Sequence, residues 1–206
     1  MNRSGLLFTI VTVAVFLLGA LRPVPAAAIN AGEPSQFIQD LGNNAVRMVS
    51  NSNLSKSDKA EQFRKLLEDG FALPSIARFA LGRYWRTADE AQRQRYTKLF
   101  EDYIVASYSA RFNEYEGETF RIVNETMTEQ GAAVVTTSIQ RPHGQPVQVD
   151  WHVRDHDGKL KIVDVVIEGI SMTLTQRSDF AAAIRQSGGN LDRFLDTLEA
   201  KANGKR

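Results

Sequence analysis

The hydrophobic repeat changes near Gly117 from a helical spacing to a two-residue spacing, which restricts the chain to folds that segregate helices from a sheet. Before this point, the pattern predicts helices over 36–50, 57–70, 74–81 and 87–115. After it, the pattern predicts strands over 120–127, 132–140, 146–154 and 159–168, then helices over 178–186 and 190–201. Because Asp157-Gly158 is a tight-turn signal, neighbouring strands are expected to pair antiparallel. The prediction is an α+β fold in which one antiparallel meander sheet packs against a helical layer.

The first 28 residues resemble a cleaved export signal. Arg3 supplies a positive start, residues 6–18 form an apolar run, and three alanines ending at Ala28 suit a signal peptidase. The run has 13 residues, whereas a membrane-spanning helix needs roughly 20. A retained membrane anchor is the alternative. We therefore expect a soluble periplasmic chain over 29–206 that forms one domain, with a helical part over 36–116 and 178–201 and a sheet part over 117–177.

Charge and cysteine content exclude several functions. Without Arg3 and Arg22, 23 basic residues remain against 24 acidic ones, and no basic block suggests binding to nucleic acid or to a membrane surface. The chain has no cysteine, which removes thiol catalysis and thiolate metal sites. An exported protein without disulfides must be held together by its core.

Few residues suggest catalysis. His152 and His156 lie with acidic residues near a predicted hairpin tip, but turn formation already explains this composition, so no metal site is expected. Asp164 alternates in phase with Ile162 and is expected to point inward. It would be either a structural carboxylate or the general base of a small-molecule enzyme. The structural role is favoured, and neither an enzyme nor a cofactor is expected.

Large aromatic side chains are numerous for one modest sheet, and they occur with small residues on the same predicted surfaces. Rings in this pattern either fill a packed core or line an apolar pocket. A filled core would suit a purely structural adaptor that binds only protein. Periodicity alone does not decide between the two arrangements.

Two segments resemble the signature of the MlaC or toluene-tolerance family. They are Phe79-Ala80-Leu81-Gly82-Arg83-Tyr84-Trp85-Arg86 and Ile162-Val163-Asp164-Val165-Val166-Ile167-Glu168-Gly169-Ile170-Ser171-Met172, the latter followed by Arg177 and Phe180. The resemblance extends from about residue 36 to residue 198. The form of the second segment is similar to a branch associated with hopanoid biosynthesis.

The resemblance implies a periplasmic phospholipid shuttle of Gram-negative bacteria. Its expected fold is a sheet related to the nuclear-transport-factor-2 cone beside a helical lobe, with an apolar lipid cavity between them. Its expected partners are phospholipid as cargo, an outer-membrane lipoprotein–porin complex and an inner-membrane ABC-type lipid transporter, and a monomer is the expected state. Such a shuttle maintains the lipid asymmetry of the outer membrane. The alternative cargo is a hopanoid.

The apolar walls of this cavity are expected to come from both layers. Arg83 and Arg86 are either solvated or near lipid phosphate at the mouth. The residues predicted to contact lipid are Tyr84, Phe100, Tyr103 and Tyr108 from the helices and Val149, Trp151, Val165 and Ile167 from the sheet.

Overall fold

A computed structural model describes residues 29–129 and 131–204, so the predicted export signal lies outside the described residues. Over these ranges no helix combines the length and the apolar character needed to cross a membrane. The helices are α1 (Glu33–Ser50), α2 (Lys56–Gly70), α3 (Leu73–Leu81), α4 (Tyr84–Thr87), α5 (Glu90–Ser109), α6 (Met172–Gln186) and α7 (Leu191–Ala202). The strands are β1 (Thr119–Met127), β2 (Ala133–Gln140), β3 (Val147–His156), β4 (Lys159–Ile167) and β5 (Ile170–Ser171).

The strands form one open antiparallel sheet in the order β1-β2-β3-β4-β5, and the α+β prediction is confirmed. The pairing register shifts between β3 and β4 because Val163 forms a bulge, so that Val153 pairs with Ile162 but His152 pairs with Asp164. The bulge reverses the alternation along β4. Ile162 therefore shares a face with Val153, and Val165 shares the same inner face through its pairing with Trp151.

Two helix boundaries lie six residues from their predicted positions, and the short helix α4 is not among the predicted elements. Helix α5 ends at Ser109, before the predicted limit of 115, and Phe112–Glu114 forms a 3-10 turn whose Phe112 packs edge-on against Phe63 at 5.2 Å between ring centroids. Helix α6 begins at Met172 instead of 178, because the Ser171 hydroxyl accepts a hydrogen bond from the Leu174 amide at 3.1 Å and caps the helix early.

The interior is divided into separate apolar clusters. The largest, which we call the helical cluster, is built from α3, α5, α6 and α7 without any strand residue, and the edge-on rings of Tyr96, Phe100, Phe180 and Phe194 lie at its centre. A second cluster joins Ile38 of α1 to the inner face of the sheet. A smaller third one joins α2, α3 and α5. The space between these clusters is not filled by side chains.

The two segments that carry the family resemblance meet in space. Gly82 ends α3 with φ +61° and ψ −127°, a conformation that favours glycine. The Arg177 guanidinium packs beside its Cα and lies 4.9 Å from the centre of the Phe79 ring. Arg177 thus joins α6 to the end of α3.

Glu125 of β1 fixes the start of α1. Its carboxylate accepts hydrogen bonds from the backbone amide of Gly32 at 2.7 Å and from the amide of Ser35 at 2.9 Å, as well as from the Ser35 hydroxyl. Partial burial opposes ionisation of Glu125, but these donors outweigh it and hold the pKa of Glu125 below its usual range. The strand therefore supplies the cap that the helix lacks, since Gly32 has no side chain.

Because the pKa of Glu125 is lowered by folding, its stabilising contribution is present above the unfolded-state pKa and is lost as the pH falls through the lowered folded-state value. We expect Glu125→Gln to reduce the free energy of unfolding by about 1 kcal/mol at neutral pH. The difference from the wild type should shrink towards about pH 3. Urea unfolding at both pH values checks this, with Glu61→Gln on exposed α2 as the control. A difference that does not change with pH would contradict it.

Candidate functional site

A cavity of about 480 Å³ lies between the helices and the inner face of the sheet. This volume is within the range of about 300–1,000 Å³ that small-molecule pockets occupy. Its walls come from five helices and from β1 to β4, so it lies where the two layers of the fold meet.

The sheet wall consists of inward-facing residues of neighbouring strands. Val149 pairs with Ile167 and Trp151 pairs with Val165, so that four of these side chains form one apolar surface. The bulge at Val163 is what brings Val165 and Ile167 into phase with β3. Phe120, Thr137 and Ile139 extend the wall across β2 to β1.

Polar groups of the sheet wall are satisfied within the protein. Trp151 donates its indole N–H to the Thr137 hydroxyl at 3.0 Å, and Thr137 donates in turn to the carbonyl of Val149 at 3.2 Å. Among the described residues, no buried side-chain nitrogen or oxygen lacks a hydrogen-bond partner. The wall therefore presents mainly hydrocarbon and the Trp151 indole to the cavity.

The helical wall is also apolar. Helix α1 turns one face towards the cavity along three turns, while α2, α3 and α5 close the opposite side and the start of α6 closes the end beside β4. The side chains that form this wall are Ile38, Leu41, Ala45, Val46 and Val49 of α1, Phe63, Leu66 and Leu67 of α2, Leu73 and Ile76 of α3, Phe100, Ile104 and Tyr108 of α5, and Met172, Thr173 and Gln176 of α6.

The cavity opens at one end of the sheet. Its exposed lining residues are Tyr108, near the end of α5, and Thr119, at the start of β1. Ile139 and Ile167 lie at the same end of the sheet. Ile38 is buried at the other end, in one cluster with Ile162, and Leu67 of α2 is buried as well. The cavity is thus a cup with a closed base and a mouth at the α5–β1 connection.

The two acidic residues that border the cavity have hydrogen-bond partners within the protein. Asp164 accepts hydrogen bonds from the Val165 amide at 2.8 Å, from the Thr173 amide at 3.1 Å and from the Ser171 hydroxyl at 2.6 Å. Glu118, at the mouth, accepts from the Glu116 amide at 2.9 Å. Asp164 therefore has the structural role of joining β4 to the start of α6, and its contacts give no support to a general base.

Basic and metal-binding groups are missing from this part of the molecule. No lysine, arginine or histidine lines the cavity over the described ranges. Within 29–129 and 131–204, no group of three His, Asp or Glu side chains is placed to hold a metal ion. The cup therefore suits a hydrocarbon ligand whose charged end remains outside.

Six of the eight residues predicted to contact lipid line the cavity. They are Phe100, Tyr108, Val149, Trp151, Val165 and Ile167. The other two pack on the helical cluster: Tyr103 lies 5.9 Å from the Phe180 ring, and the Tyr84 hydroxyl accepts a hydrogen bond from Arg83. Arg83 and Arg86 also lie outside the cavity lining. Contact of any of these residues with lipid stays a prediction.

Sequence reasoning does not identify the α1 and α2 wall, because an amphipathic helix does not show what its apolar face covers. One signal is available in Gly42, a glycine in the interior of α1. A Cβ atom at Gly42 would lie 2.2 Å from the Phe120 ring, so the glycine permits close approach of α1 to β1 at the cavity wall.

Comparison with known proteins agrees with this architecture. The profile of the family described as MlaC protein matches residues 39–200. The chain is 22% identical over 195 residues to toluene tolerance protein Ttg2D of Pseudomonas putida, covering 94% of this chain and 87% of that protein. The fold is also that of the phospholipid-binding protein from Ralstonia solanacearum, solved in complex with a phospholipid: the TM-score is 0.68 at 19% identity, and the match covers 82% of this chain and 98% of the other.

Proposed function

This chain belongs to the MlaC family, and from that membership we propose that it is a periplasmic phospholipid carrier that encloses acyl chains in the cup between its helices and its sheet. The observation that carries the proposal is the cavity of about 480 Å³ with hydrocarbon walls, internally satisfied polar groups and no basic side chain in its lining. The solved relative that shares this fold was obtained with a phospholipid bound.

The physical need for such a cup follows from the cost of exposing acyl chains to water. Each methylene contributes about 0.8 kcal/mol, so a 16-carbon tail in water costs on the order of 13 kcal/mol. A carrier must remove the tails from water, whereas the polar headgroup is best left in it. The cup with its open mouth at Tyr108 and Thr119 meets both requirements.

The wider role proposed for the carrier is transfer between two membranes. It would exchange phospholipid with an outer-membrane lipoprotein–porin complex and with an inner-membrane ABC-type transporter, and so maintain the asymmetry of the outer membrane. Membership of the MlaC family and similarity to a toluene tolerance protein support this role. The export signal expected in the first 28 residues supports the periplasmic location.

Native mass spectrometry with lipid extraction tests the proposal, on mature protein purified from the periplasm without detergent. Copurified phospholipid is the expected result, and its mass gives the number of acyl chains in the cup. A hopanoid in its place would keep the mechanism and change the cargo. Protein that is free of lipid and takes up none from vesicles would refute the carrier.

Trp151 offers a second test, because its indole faces the cavity while the other tryptophan, Trp85, packs on the helical cluster. A phospholipid with brominated acyl chains should quench most of the emission of the Trp85→Phe variant, in which Trp151 is the remaining tryptophan. The Trp151→Phe variant should keep its emission under the same conditions. Equal quenching of the two variants would show that the tails do not enter the cup.

A further inference from the structure

The fold places Arg177 of α6 beside the segment 78–86, which carries three more arginines. Arg78 is exposed on α3, Arg83 and Arg86 are exposed and lie one turn apart, and Arg177 of α6 packs beside Gly82, the residue before Arg83. No basic block is visible in the sequence, because Arg177 is distant along the chain from the other three. We call this group, with its exposed neighbours Phe79 and Leu174, the arginine patch.

The charges of the arginine patch are not neutralised by ion pairs. None of its four guanidinium groups lies within 4.0 Å of a carboxylate in the described ranges, whereas Arg64 and Arg95 each bridge two acidic side chains. Such a concentration of unpaired positive charge attracts an anionic surface.

The arginine patch also exposes apolar side chains. Leu174 is 58% exposed and Phe79 is 40% exposed. Leu174 lies one helical turn before Arg177, whose guanidinium stacks on the Phe79 ring, so the three side chains form a continuous surface. Arginine beside exposed leucine and phenylalanine is the composition of surfaces that enter the headgroup region of a bilayer.

The arginine patch adjoins the cavity wall. Ile76 lines the cavity one turn before Phe79 on α3, and Gln176 lines it directly before Arg177 on α6. The arginine patch therefore lies on the same two helices, α3 and α6, that contribute to the wall of the cup.

On these grounds, and resting on the carrier function proposed above, we propose that the arginine patch docks the protein on bilayers rich in anionic phospholipid, with Phe79 and Leu174 entering the headgroup region. The arginines bind lipid phosphates at the surface, and the contact places α3 and α6, and with them a wall of the cup, against the membrane.

Vesicle flotation tests the docking surface. Wild-type protein is expected to float with vesicles of phosphatidylcholine and phosphatidylglycerol far more than with phosphatidylcholine alone, and added salt should weaken this binding. The triple variant Arg78→Gln/Arg83→Gln/Arg86→Gln should bind the anionic vesicles roughly 100-fold more weakly, at about fivefold for each arginine near the surface. Leu174→Ser should weaken binding to them by about tenfold while keeping the salt dependence.

The matched control is Arg121→Gln/Arg154→Gln/Arg193→Gln, which removes three exposed arginines from β1, β3 and α7. It should bind within about twofold of the wild type. Equal losses in the two triple variants would overturn the proposal, because net charge alone would then explain binding. Wild-type protein that floats with neither vesicle would also overturn it and would leave an acidic protein as the partner of the patch.

Lipid extracted from each variant separates this proposal from the carrier function. The patch variants are expected to retain their copurified cargo, because none of the substituted arginines lines the cup. If the patch variants keep their cargo and still float like the wild type, the docking surface is refuted and the carrier function is not. Absence of cargo from the wild type refutes the carrier, whatever the flotation result.

Discussion

Replacing Ala45 with tryptophan is expected to weaken phospholipid binding by about 1,000-fold while the protein stays folded. Ala45 lies on the cavity side of α1 between Leu41 and Val49, where an indole ring can project into empty space. If the ring displaces about five methylenes of acyl chain, at about 0.8 kcal/mol each, the bound lipid loses about 4 kcal/mol. Lipid extracted per mole of protein measures the loss, and urea unfolding measures the stability.

The control for this variant is Ala91→Trp, which makes the same change on the exposed start of α5, away from the cavity. It should retain the wild-type amount of lipid. Val165→Trp fills the cup from the sheet side and should resemble Ala45→Trp. If Ala45→Trp and Val165→Trp both retain full cargo while remaining folded, the acyl chains are bound elsewhere and the assignment of the cup is wrong.

Gly82→Ala is expected to reduce the free energy of unfolding by about 3 kcal/mol. An L-residue is strained at φ +61° and ψ −127°, and the new Cβ would lie 3.1 Å from Nε of Arg177. Relief of this contact moves the guanidinium away from the Phe79 ring and weakens the junction between α3 and α6. Urea unfolding of the variant measures the effect.

Gly32→Ala separates strain from crowding, because Gly32 also has a positive φ, of 90°, but a Cβ added there would have no atom within 4 Å. Gly32→Ala should reduce the free energy of unfolding by about 1 kcal/mol. Adding Arg177→Ala to Gly82→Ala should recover the part of the loss that comes from crowding. A Gly82→Ala variant as stable as the wild type would show that the α3–α6 junction does not depend on this turn.

The succession of helices and strands follows from local periodicity, because each element repeats its apolar residues at its own spacing. Periodicity does not reveal which face of the sheet each side chain of β4 occupies. Simple alternation puts Asp164 on the same face as Ile162, but the bulge at Val163 reverses the alternation between them. A bulge depends on how two strands pair, so the sequence of one strand does not reveal it. The start of α6 escapes prediction for a related reason, since Ser171 acts as a cap only when Asp164 holds it in place.

Predicting the cavity is easier for the sheet than for the helices. The four predicted strand residues line it, because successive side chains of a strand point to opposite faces, and a strand with one polar face turns its other face to the interior. On a helix the apolar stripe is broad, and neighbouring positions face different clusters. Tyr103 therefore packs on Phe180, whereas Ile104, the next residue, lines the cavity.

The helical cluster is packed separately from the cup. Of the buried residues of that cluster, Phe100 alone borders the cavity in the part of the chain that the structure describes. The packing of α3, α5, α6 and α7 against one another therefore does not depend on a bound lipid, and this part of the molecule need not collapse when cargo is released. Loaded and unloaded forms can therefore share one architecture in this part of the molecule.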